Sequence, residues 1–433
     1  MKPNWDALLP KFMFGLSLGA ILIAYGYAIH RNHIFPYSLL AMAKPGFEQI
    51  LSSISDHKPK HYKPSANSKV INIVNASEIE PGLTLITETG VSAPIAKVID
   101  SEGNIIHQWD LDWFRIWPDA NHLPEYRVPK SPPGAQIHGA ILLKGGDLIF
   151  NYDYLGLVRV NICGDVIWKM PYQTHHSIFL SEDSTLWVGG RKYYDKPIAK
   201  YPNLTAPVNE DLVLHVTLDG EILEETSVFD ILERNNLQHL MYMQSLSGDL
   251  YHLNDIDVFP NDWEEGVFKN GDVMISLRQL NTIIVYDRWT YQVKHIISGG
   301  FVRQHDPDFR DGNTISVFNN NNIGPASDGI QSNILIKSLN DDQTFLAYAG
   351  SKHYQFYTQS MGKHQWLSNG NILISDTKEG KAFEVNKDSK VVWEYNNIIG
   401  KGYFSDVSEA NRLPIYFTKE KFDSFKANCS KSK

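Results

Sequence analysis

Histidines that precede short turn-and-strand units recur along this chain, and their spacing could bring several imidazoles to one place. These histidines, with one glutamine in the fifth unit, are His138, His176, His252, His305, Gln359 and His364. A repeat of roughly 35–55 residues is typical of architectures that gather matching positions around a single axis. Imidazoles gathered in this way can act as nucleophiles, as proton donors and acceptors, or as metal ligands.

Two further polar residues accompany the central histidines. Asn254 stands two residues after His252, and Arg278 directly follows an apolar run. We expect Arg278 to end the inner strand of the fourth unit, where a guanidinium held on a rigid element could clamp an oxyanion. We therefore interpret one set of five residues as a site, namely His176, His252, Asn254, Arg278 and His305.

Other polar residues nearby are interpreted as structural. A single histidine before a strand most often caps a turn, so His138 and His364 are expected to have hydrogen-bonded structural roles. His175 is expected to face away from His176, because successive side chains in a strand point to opposite faces. Asp306 directly follows the last histidine of the site and could orient a neighbouring group.

The segments between these residues are typical of short β-strands. Each small polar turn leads into apolar runs of β-branched and aromatic residues, such as 148–150 and 372–374. Further hairpins end in tryptophan at Trp109, Trp168 and Trp393. Six units are recognised, near 83–131, 137–172, 175–232, 252–298, 305–350 and 358–396. The repeat predicts an all-β fold, a six-bladed β-propeller. Insertions leave seven blades open, and a pair of β-sandwiches is the alternative.

Composition limits the classes of partner. The 433 residues, 42% of them hydrophobic and 12% aromatic, are enough for one large core of packed blades. The net charge is −9 and no Lys/Arg cluster recurs, which argues against nucleic acid as a partner. The chain has no Walker-type glycine loop and no Cys-x-x-Cys zinc spacing, so neither a nucleotide cofactor nor a structural zinc site is predicted.

The N-terminus is predicted to be a membrane anchor. The 18 residues from Phe12 to Ile29 carry no charge and approach the ~20 needed to cross a bilayer. A cleaved signal peptide is the alternative, since Ala41-Met42-Ala43 resembles a cleavage site. That site lies about a dozen residues beyond the apolar run, which favours an uncleaved single transmembrane helix. Flanking charges do not define its orientation. We place the domain that follows on the extracytoplasmic, periplasmic side, because a lone N-terminal anchor suits an exported protein.

The predicted domains follow from these features. They are an anchor at 1–30, a linker at 31–75, a β-propeller catalytic domain at 76–425 and a polar tail at 426–433. Of the two cysteines, Cys163 lies in a predicted surface hairpin turn and Cys429 in the tail. A disulfide between residues so far apart cannot be predicted from the sequence alone.

Several motifs together resemble the bacterial arylsulfate sulfotransferase family, from about residue 83 to 420. The segments that carry the resemblance are THHSIF, HLNDI, GDVMISLRQLNTI, RQHDPDFRDGNTISVFNN and QWLSNGNILISDTKEGKAFEVNKDSKVVWEY. The resemblance implies a six-bladed propeller in the periplasm. It also implies transfer of a sulfuryl group from a phenolic sulfate donor to a phenol acceptor, with no nucleotide and no other cofactor.

The same resemblance implies roles for individual residues. His305 corresponds to a histidine that is transiently sulfated. His252, Asn254 and Arg278 correspond to its oxyanion-binding neighbours, and His176 to a further active-site imidazole. The best-known family members are soluble after signal cleavage and have a nearby cysteine pair, which the positions of Cys163 and Cys429 do not match.

Two other classes of function remain open at this stage. One is a metal-dependent propeller lyase or hydrolase, in which His176, His252 and His305 hold zinc or iron. The other is a non-catalytic, membrane-tethered propeller whose channel binds an anion or a partner, since a fold alone does not determine function.

Overall fold

The computed structural model describes residues 5–32, 62–64, 69–243, 246–324, 329–400, 402–427 and 429, in two units, 1–60 and 61–433. In the first unit, helix α1 spans Trp5–Asn32. Its segment Leu9–Ile29 is long and apolar enough to cross a membrane, a property that a signal sequence shares. The Ala41–Ala43 site and most of the predicted linker lie outside the described residues.

The second unit contains short helices and 28 strands among its described residues. The helices are α2 (Trp113–Ile116), α3 (Val228–Arg234) and α4 (Lys419–Lys426). The strands are β1 (Lys63–Pro64), β2 (Ile71–Ile73), β3 (Thr84–Thr89), β4 (Pro94–Ile99), β5 (Ile105–Asp110), β6 (Ile137–Leu142), β7 (Leu148–Tyr152), β8 (Gly156–Val160), β9 (Val166–Met170), β10 (Gln173–Leu180), β11 (Thr185–Tyr194), β12 (Val208–Thr217), β13 (Ile222–Ser227), β14 (Gly248–Asp249), β15 (Leu253–Val258), β16 (Asp272–Leu277), β17 (Thr282–Asp287), β18 (Val293–Ser298), β19 (His305–Phe309), β20 (Thr314–Asn319), β21 (Asn333–Ser338), β22 (Thr344–Ala349), β23 (Lys363–Trp366), β24 (Ile372–Asp376), β25 (Lys381–Val385), β26 (Val391–Asn396), β27 (Tyr403–Phe404) and β28 (Val407–Arg412).

Six antiparallel sheets form the blades of a propeller, which confirms the predicted fold and the count of six. Blade 1 consists of β28 with β3 to β5, so a strand near the C-terminus completes a sheet begun near residue 84. Blades 2 to 5 are β6–β9, β10–β13, β15–β18 and β19–β22, and blade 6 is β23–β26 with β2 at its edge. Because blade 1 joins both ends of the propeller chain, the ring is closed without an open sheet edge at the seam.

Three tryptophans link their blade to the next one. Trp109 in blade 1 donates its indole N–H to the carbonyl of Asn161 in blade 2 at 3.0 Å. Trp168 in blade 2 makes the same bond to Leu218 in blade 3 at 2.9 Å, and Trp393 in blade 6 reaches the carbonyl of Ser101 in blade 1 at 2.9 Å. In blades 1, 2 and 6 the tryptophan of the fourth strand therefore satisfies its one polar group on a neighbouring blade.

A disulfide joins the C-terminal segment to blade 2. Cys163 lies in the predicted turn between β8 and β9, where its N–H donates to the side chain of Asn161. Cys429 follows α4, and the two cysteines are bonded, with their Cα atoms 5.5 Å apart. The sequence separation of 266 residues explains why the pairing could not be predicted: the propeller has to close before these residues meet.

Candidate active site

The innermost strands of the six blades line the central axis; they are β28, β6, β10, β15, β19 and β23. Most of these strands carry a β-bulge near their beginning. Strand pairing shifts within β6 between Ile137 and Ala140, and within β10 between His175 and Ile178. Equivalent shifts occur in the first strands of blades 1, 4 and 5. A bulge interrupts the regular alternation of side chains and can turn an extra residue toward one face. His176 sits in such a bulge with a φ of 57°.

The bulged strands bring four imidazoles together at the axis. The ring of His176 is central, with its centroid 4.2 Å from that of His138, 4.9 Å from that of His252 and 6.2 Å from that of His305. These residues come from blades 2, 3, 4 and 5. The structure thus places the three histidines predicted from the motifs in one cluster.

Two of the structural interpretations were wrong. His138 was expected only to cap a turn, yet its ring packs against His176 and its Nδ1 lies 3.5 Å from an oxygen of Asp153. His175 was expected to face away from His176, yet their Nδ1 atoms are 2.9 Å apart. The bulge at this point of β10 removes the alternation on which that expectation rested.

The contacts of His175 fix the tautomer of His176. Nε2 of His175 faces the carbonyl of Gly190 at 3.2 Å, so this nitrogen carries a proton and donates. Burial first, and then the charge of Arg191, lower the pKa of His175 to about 3, so the ring is neutral and its Nδ1 is an acceptor. His176 must then donate from Nδ1, which leaves the lone pair of His176 on Nε2.

The contacts of His305 fix its tautomer in the same way. Its Nδ1 lies 2.6 Å from Oδ1 of Asn320 and 3.1 Å from the carbonyl of Arg303. The amide of Asn320 is oriented by two bonds from Nδ2 to the carbonyls of Thr358 and Met361. Both neighbours of Nδ1 are therefore acceptors, so Nδ1 is protonated and Nε2 carries the lone pair. The amide N–H of Met361 donates to this Nε2 at 3.2 Å.

Burial keeps the imidazoles at the centre of the cluster neutral. It lowers the pKa of His176 well below its usual value, and the neighbouring imidazoles, led by His138, lower it further. It does the same to His305, where the positive charge of Arg278 is the next largest cause. A neutral imidazole with an unprotonated ring nitrogen can act as a nucleophile or a base at neutral pH, although in His305 this nitrogen accepts from the Met361 amide.

His252 differs from its neighbours because its partner is a carboxylate. Its Nδ1 lies 2.5 Å from Oδ2 of Asp249, three residues earlier in the chain. Asp249 belongs to β14, a two-residue strand that pairs in parallel with β12. The carboxylate fixes Nδ1 of His252 as a donor and leaves its Nε2 on the opposite side of the ring.

Arg278 and Asn254 keep polar atoms without partners. Nε of Arg278 and Oδ1 of Asn254 are buried and make no hydrogen bond within the described part of the chain. The other amide atom of Asn254, Nδ2, donates to the carbonyl of Gln304 at 2.7 Å. No carboxylate of the described residues lies within ion-pair distance of Arg278, so pairing between blades does not account for it. Burial, and then the like charge of Arg303, lower the pKa of Arg278.

The element that carries Arg278 is not the expected one. The sequence interpretation placed Arg278 at the end of an inner strand, but β15 is the inner strand of blade 4 and Arg278 follows the second strand, β16. It begins a 3-10 turn, Arg278–Leu280, and its N–H donates to the carbonyl of His252 at 3.2 Å. This backbone bond holds the arginine beside the cluster from the neighbouring strand.

His364 and Asp306 have the structural roles expected of them. Asp306 accepts from Nδ1 of His364 at 2.9 Å and from Lys363 at 2.7 Å, while Nε2 of His364 lies 2.8 Å from the hydroxyl of Ser316. Both nitrogens of His364 are therefore occupied. Asp306 does orient neighbouring groups, and they belong to the next blade.

The structure does not assemble the donor set expected for a zinc or iron site. Among the residues that the structure describes, the central donors that lie within 4.8 Å of one another belong to His138, Asp153 and His176, not to His176, His252 and His305. The Nδ1 atoms of His252 and His305 face Asp249 and Asn320, and Nε2 of His305 accepts from a backbone amide.

Three residues of the site were missed from the sequence. His138 had a signal, since it occupies the same place in its repeat as His176. Asn320 lies in the run of four asparagines 319–322, which carries no indication of which one faces the axis. Asp249 belongs to an insertion between blades 3 and 4 and has no repeat equivalent that could reveal it.

The chain is similar to several known proteins. The family model described as Arylsulfotransferase (ASST) matches residues 139–398, which is more than half of the chain. No curated protein sequence matches the chain. Solved structures that are similar include a protein of unknown function from Bacteroides caccae, with 14% identity, a TM-score of 0.47 and coverage of 76% of this chain and 98% of that one.

Two other similar structures are of proteins with names. One is a virginiamycin B lyase from Staphylococcus aureus, with 10% identity, a TM-score of 0.38 and coverage of 78% of this chain and 90% of that one. The other is TolB from Acinetobacter baumannii, with 9% identity, a TM-score of 0.42 and coverage of 76% and 66%. Likenesses at these scores carry no argument about function.

Proposed function

Because the chain belongs to the arylsulfotransferase family, we propose that it moves a sulfuryl group from a phenolic sulfate ester to a phenol through a sulfohistidine on His305. The observation that carries this proposal is the tautomer of His305. Asn320 and the carbonyl of Arg303 hold the proton on Nδ1, so the lone pair is on Nε2. An amide partner, unlike a carboxylate, does not favour the protonated ring, which suits a nucleophile.

In the first half-reaction, Nε2 of His305 attacks the sulfur and the bond between sulfur and the phenolic oxygen breaks. The leaving phenolate takes a proton from Nε2 of His252, and the sulfuryl group remains on His305. The contact between Nε2 of His305 and the Met361 amide has to open before attack, and this N–H can then donate to a sulfuryl oxygen. In the second half-reaction, the acceptor phenol returns its proton to His252, attacks the sulfur and releases His305.

Arg278 and Asn254 are the remaining residues that can donate to the sulfuryl oxygens. A sulfuryl group in transfer carries negative charge on three oxygens, and fixed donors around them lower the barrier, by analogy with phosphoryl transfer. Arg278 offers a guanidinium without a carboxylate partner in the described part of the chain. Asn254 can contribute through Nδ2, which already donates to the carbonyl of Gln304. Neutral His176 contacts His138, His252 and His305, but its lone pair is on Nε2, so this ring does not donate to the sulfuryl oxygens.

A burst experiment tests this proposal. Mixing the purified protein with 4-nitrophenyl sulfate alone should release about one equivalent of phenol per active site, because a covalent intermediate forms and then waits for an acceptor. Addition of phenol should restore turnover with ping-pong kinetics. Peptide mapping after trapping should find the sulfuryl group on His305. An adduct on His176, whose Nε2 is also unprotonated, would reassign the nucleophile, and sequential kinetics without any adduct would reject the covalent mechanism.

We also propose that the protein is anchored in the membrane by α1, with the propeller on the extracytoplasmic side. The disulfide between Cys163 and Cys429 supports this compartment, because disulfides persist in oxidising environments. The exposed apolar segment Leu9–Ile29 supports the anchor.

The anchor is expected to keep the full-length protein in the membrane fraction after washes with high salt and alkaline carbonate, and detergent should release it. The physical reason is that an apolar helix of this length is transferred into lipid essentially irreversibly. Fractionation, immunoblotting and N-terminal sequencing check this. A soluble mature protein that begins near Lys44 would show that α1 is a cleaved signal instead.

A further inference from the structure

His252 is held by Asp249, Arg191 and Asp211, which lie outside the segments that carry the family resemblance. Its Nδ1 contacts Oδ2 of Asp249, and the other oxygen of that carboxylate accepts from Nη2 of Arg191 at 2.9 Å. Arg191 also lies 3.4 Å from Oδ1 of Asp211. The second oxygen of Asp211 accepts from the backbone N–H of Leu253, the residue that follows His252. The ring of His252 and the backbone beside it are thus fixed by two carboxylates that share one guanidinium.

Arg191 is itself held rigidly. Its guanidinium carbon lies 4.1 Å from the ring centroid of Tyr154, and the residue is 6% exposed on β11. Burial raises the pKa of the Asp249 carboxyl, but the bond from His252 and the charge of Arg191 outweigh burial and hold that pKa well below its usual value. Asp249 is therefore ionised at neutral pH. Opposite His252 there is a fixed negative charge, whereas His305 faces a neutral amide.

Other titratable groups also act on His252. They come from five other elements and comprise His175 and His176 on β10, His305 on β19, Asp211 on β12, Asp153 after β7 and, through Asp249, Arg191 on β11. Among the residues that the structure describes, Asp249 is the one that makes a direct hydrogen bond to the His252 ring, so its removal changes the surroundings of that ring most.

We propose that Asp249 is the positioning residue that makes His252 the proton donor to the departing phenolate. This inference rests on the proposed sulfuryl transfer and assigns separate roles to the two histidines: His305 attacks the sulfur and His252 donates the proton. In the first step the S–O bond breaks and the proton moves from Nε2 of His252 to the phenolic oxygen, leaving His252 neutral with Nδ1–H still bonded to Asp249. The acceptor phenol returns one proton to Nε2 in the second step, so protons balance over the cycle.

The proposal is tested by measuring the burst rate of the Asp249→Asn variant with two different sulfate donors. An asparagine keeps the shape but loses the negative charge that favours protonation of the ring. The burst rate with phenyl sulfate, whose leaving group is weakly acidic, should fall by about 10²- to 10⁴-fold. The burst with 4-nitrophenyl sulfate should fall much less, since its leaving group needs little protonation.

A matched control and a double variant separate catalysis from folding. The matched control is Asp147→Asn, which removes a comparable Asp–Arg pair with Arg159 in blade 2. This variant should leave the burst rates with both donors unchanged. If Asp249 acts through His252, Asp249→Asn should cause no further loss in a His252→Gln background. Equal losses for the two donors, or additive losses in the double variant, would reduce Asp249 to a structural residue.

The outcome also distinguishes this inference from the proposed function. A wild-type protein that gives no burst and no transfer with either donor would reject the function itself. A wild-type burst on His305 with an Asp249→Asn variant that shows no leaving-group dependence would reject only the role of Asp249. Nitrogen NMR of the free protein adds a readout without turnover: the signal of Nδ1–H of His252 should show a strong bond to a carboxylate and lose it in the variant.

Discussion

Replacement of His305 by alanine is expected to abolish both the phenol burst and all turnover. The imidazole is the proposed nucleophile, and removal of a nucleophile typically costs on the order of 10⁶ in kcat. Stopped-flow measurement of phenol release and intact-mass analysis after donor addition would check this result. An His305→Ala variant that still forms a sulfuryl adduct would show that another residue attacks the sulfur.

The folding of this variant can be assessed independently. His305→Ala leaves Oδ1 of Asn320 buried without its donor, which is expected to cost about 1–3 kcal/mol of unfolding free energy. His215→Ala is a matched control, because His215 is also buried but stacks on Trp187 and bonds Thr185 rather than the central imidazoles. The control should lose comparable stability and keep full activity. Chemical denaturation of both variants would separate the two effects.

Replacement of Arg278 by lysine is expected to reduce kcat by about 10²- to 10³-fold, equivalent to about 2.7–4 kcal/mol of transition-state stabilisation. A lysine keeps the charge, but a compact ammonium cannot reproduce the planar fork of a guanidinium. Nε of Arg278 has no partner in the described part of the chain and remains available for a sulfuryl oxygen. Single-turnover rates with a saturating donor would measure the loss.

A lysine at another arginine provides the comparison. Arg159 pairs with Asp147 on blade 2, so Arg159→Lys makes the same chemical change outside the imidazole cluster and should leave kcat unchanged. A fully active Arg278→Lys variant would assign Arg278 a structural role. A loss that appears only in KM would indicate that Arg278 binds the donor equally well before and during transfer.

The three predicted histidines meet in the structure because of the repeat in which they occur. The motif histidines lie near the beginning of the innermost strand of their units, so closing the propeller places His176, His252 and His305 around one axis. Their proposed catalytic roles remain predictions. The interpretation of His138 was wrong because it weighed the residue alone, although its position in the repeat matched that of His176.

Local sequence rules failed where tertiary contacts changed the geometry. The alternation of side chains predicted that His175 faces away from His176, but the bulge in β10 turns both toward the cluster. The hairpin pattern assigned Arg278 to an inner strand, but the histidine-bearing segment is itself the inner strand. An extra strand before each hairpin cannot be recognised when it is only a few residues long and carries polar side chains.

The sequence by itself determined the propeller repeat, the family and the types of residue that meet at the axis, because these follow from periodic patterns that the units share. Only the tertiary structure decided the partner of each imidazole. Asn320 comes from the chain after β20 and Asp249 from an insertion, and both reach the cluster through contacts that no repeat encodes. Since a neutral amide and a carboxylate favour different protonation states, these two contacts distinguish the proposed nucleophile from the proposed proton donor.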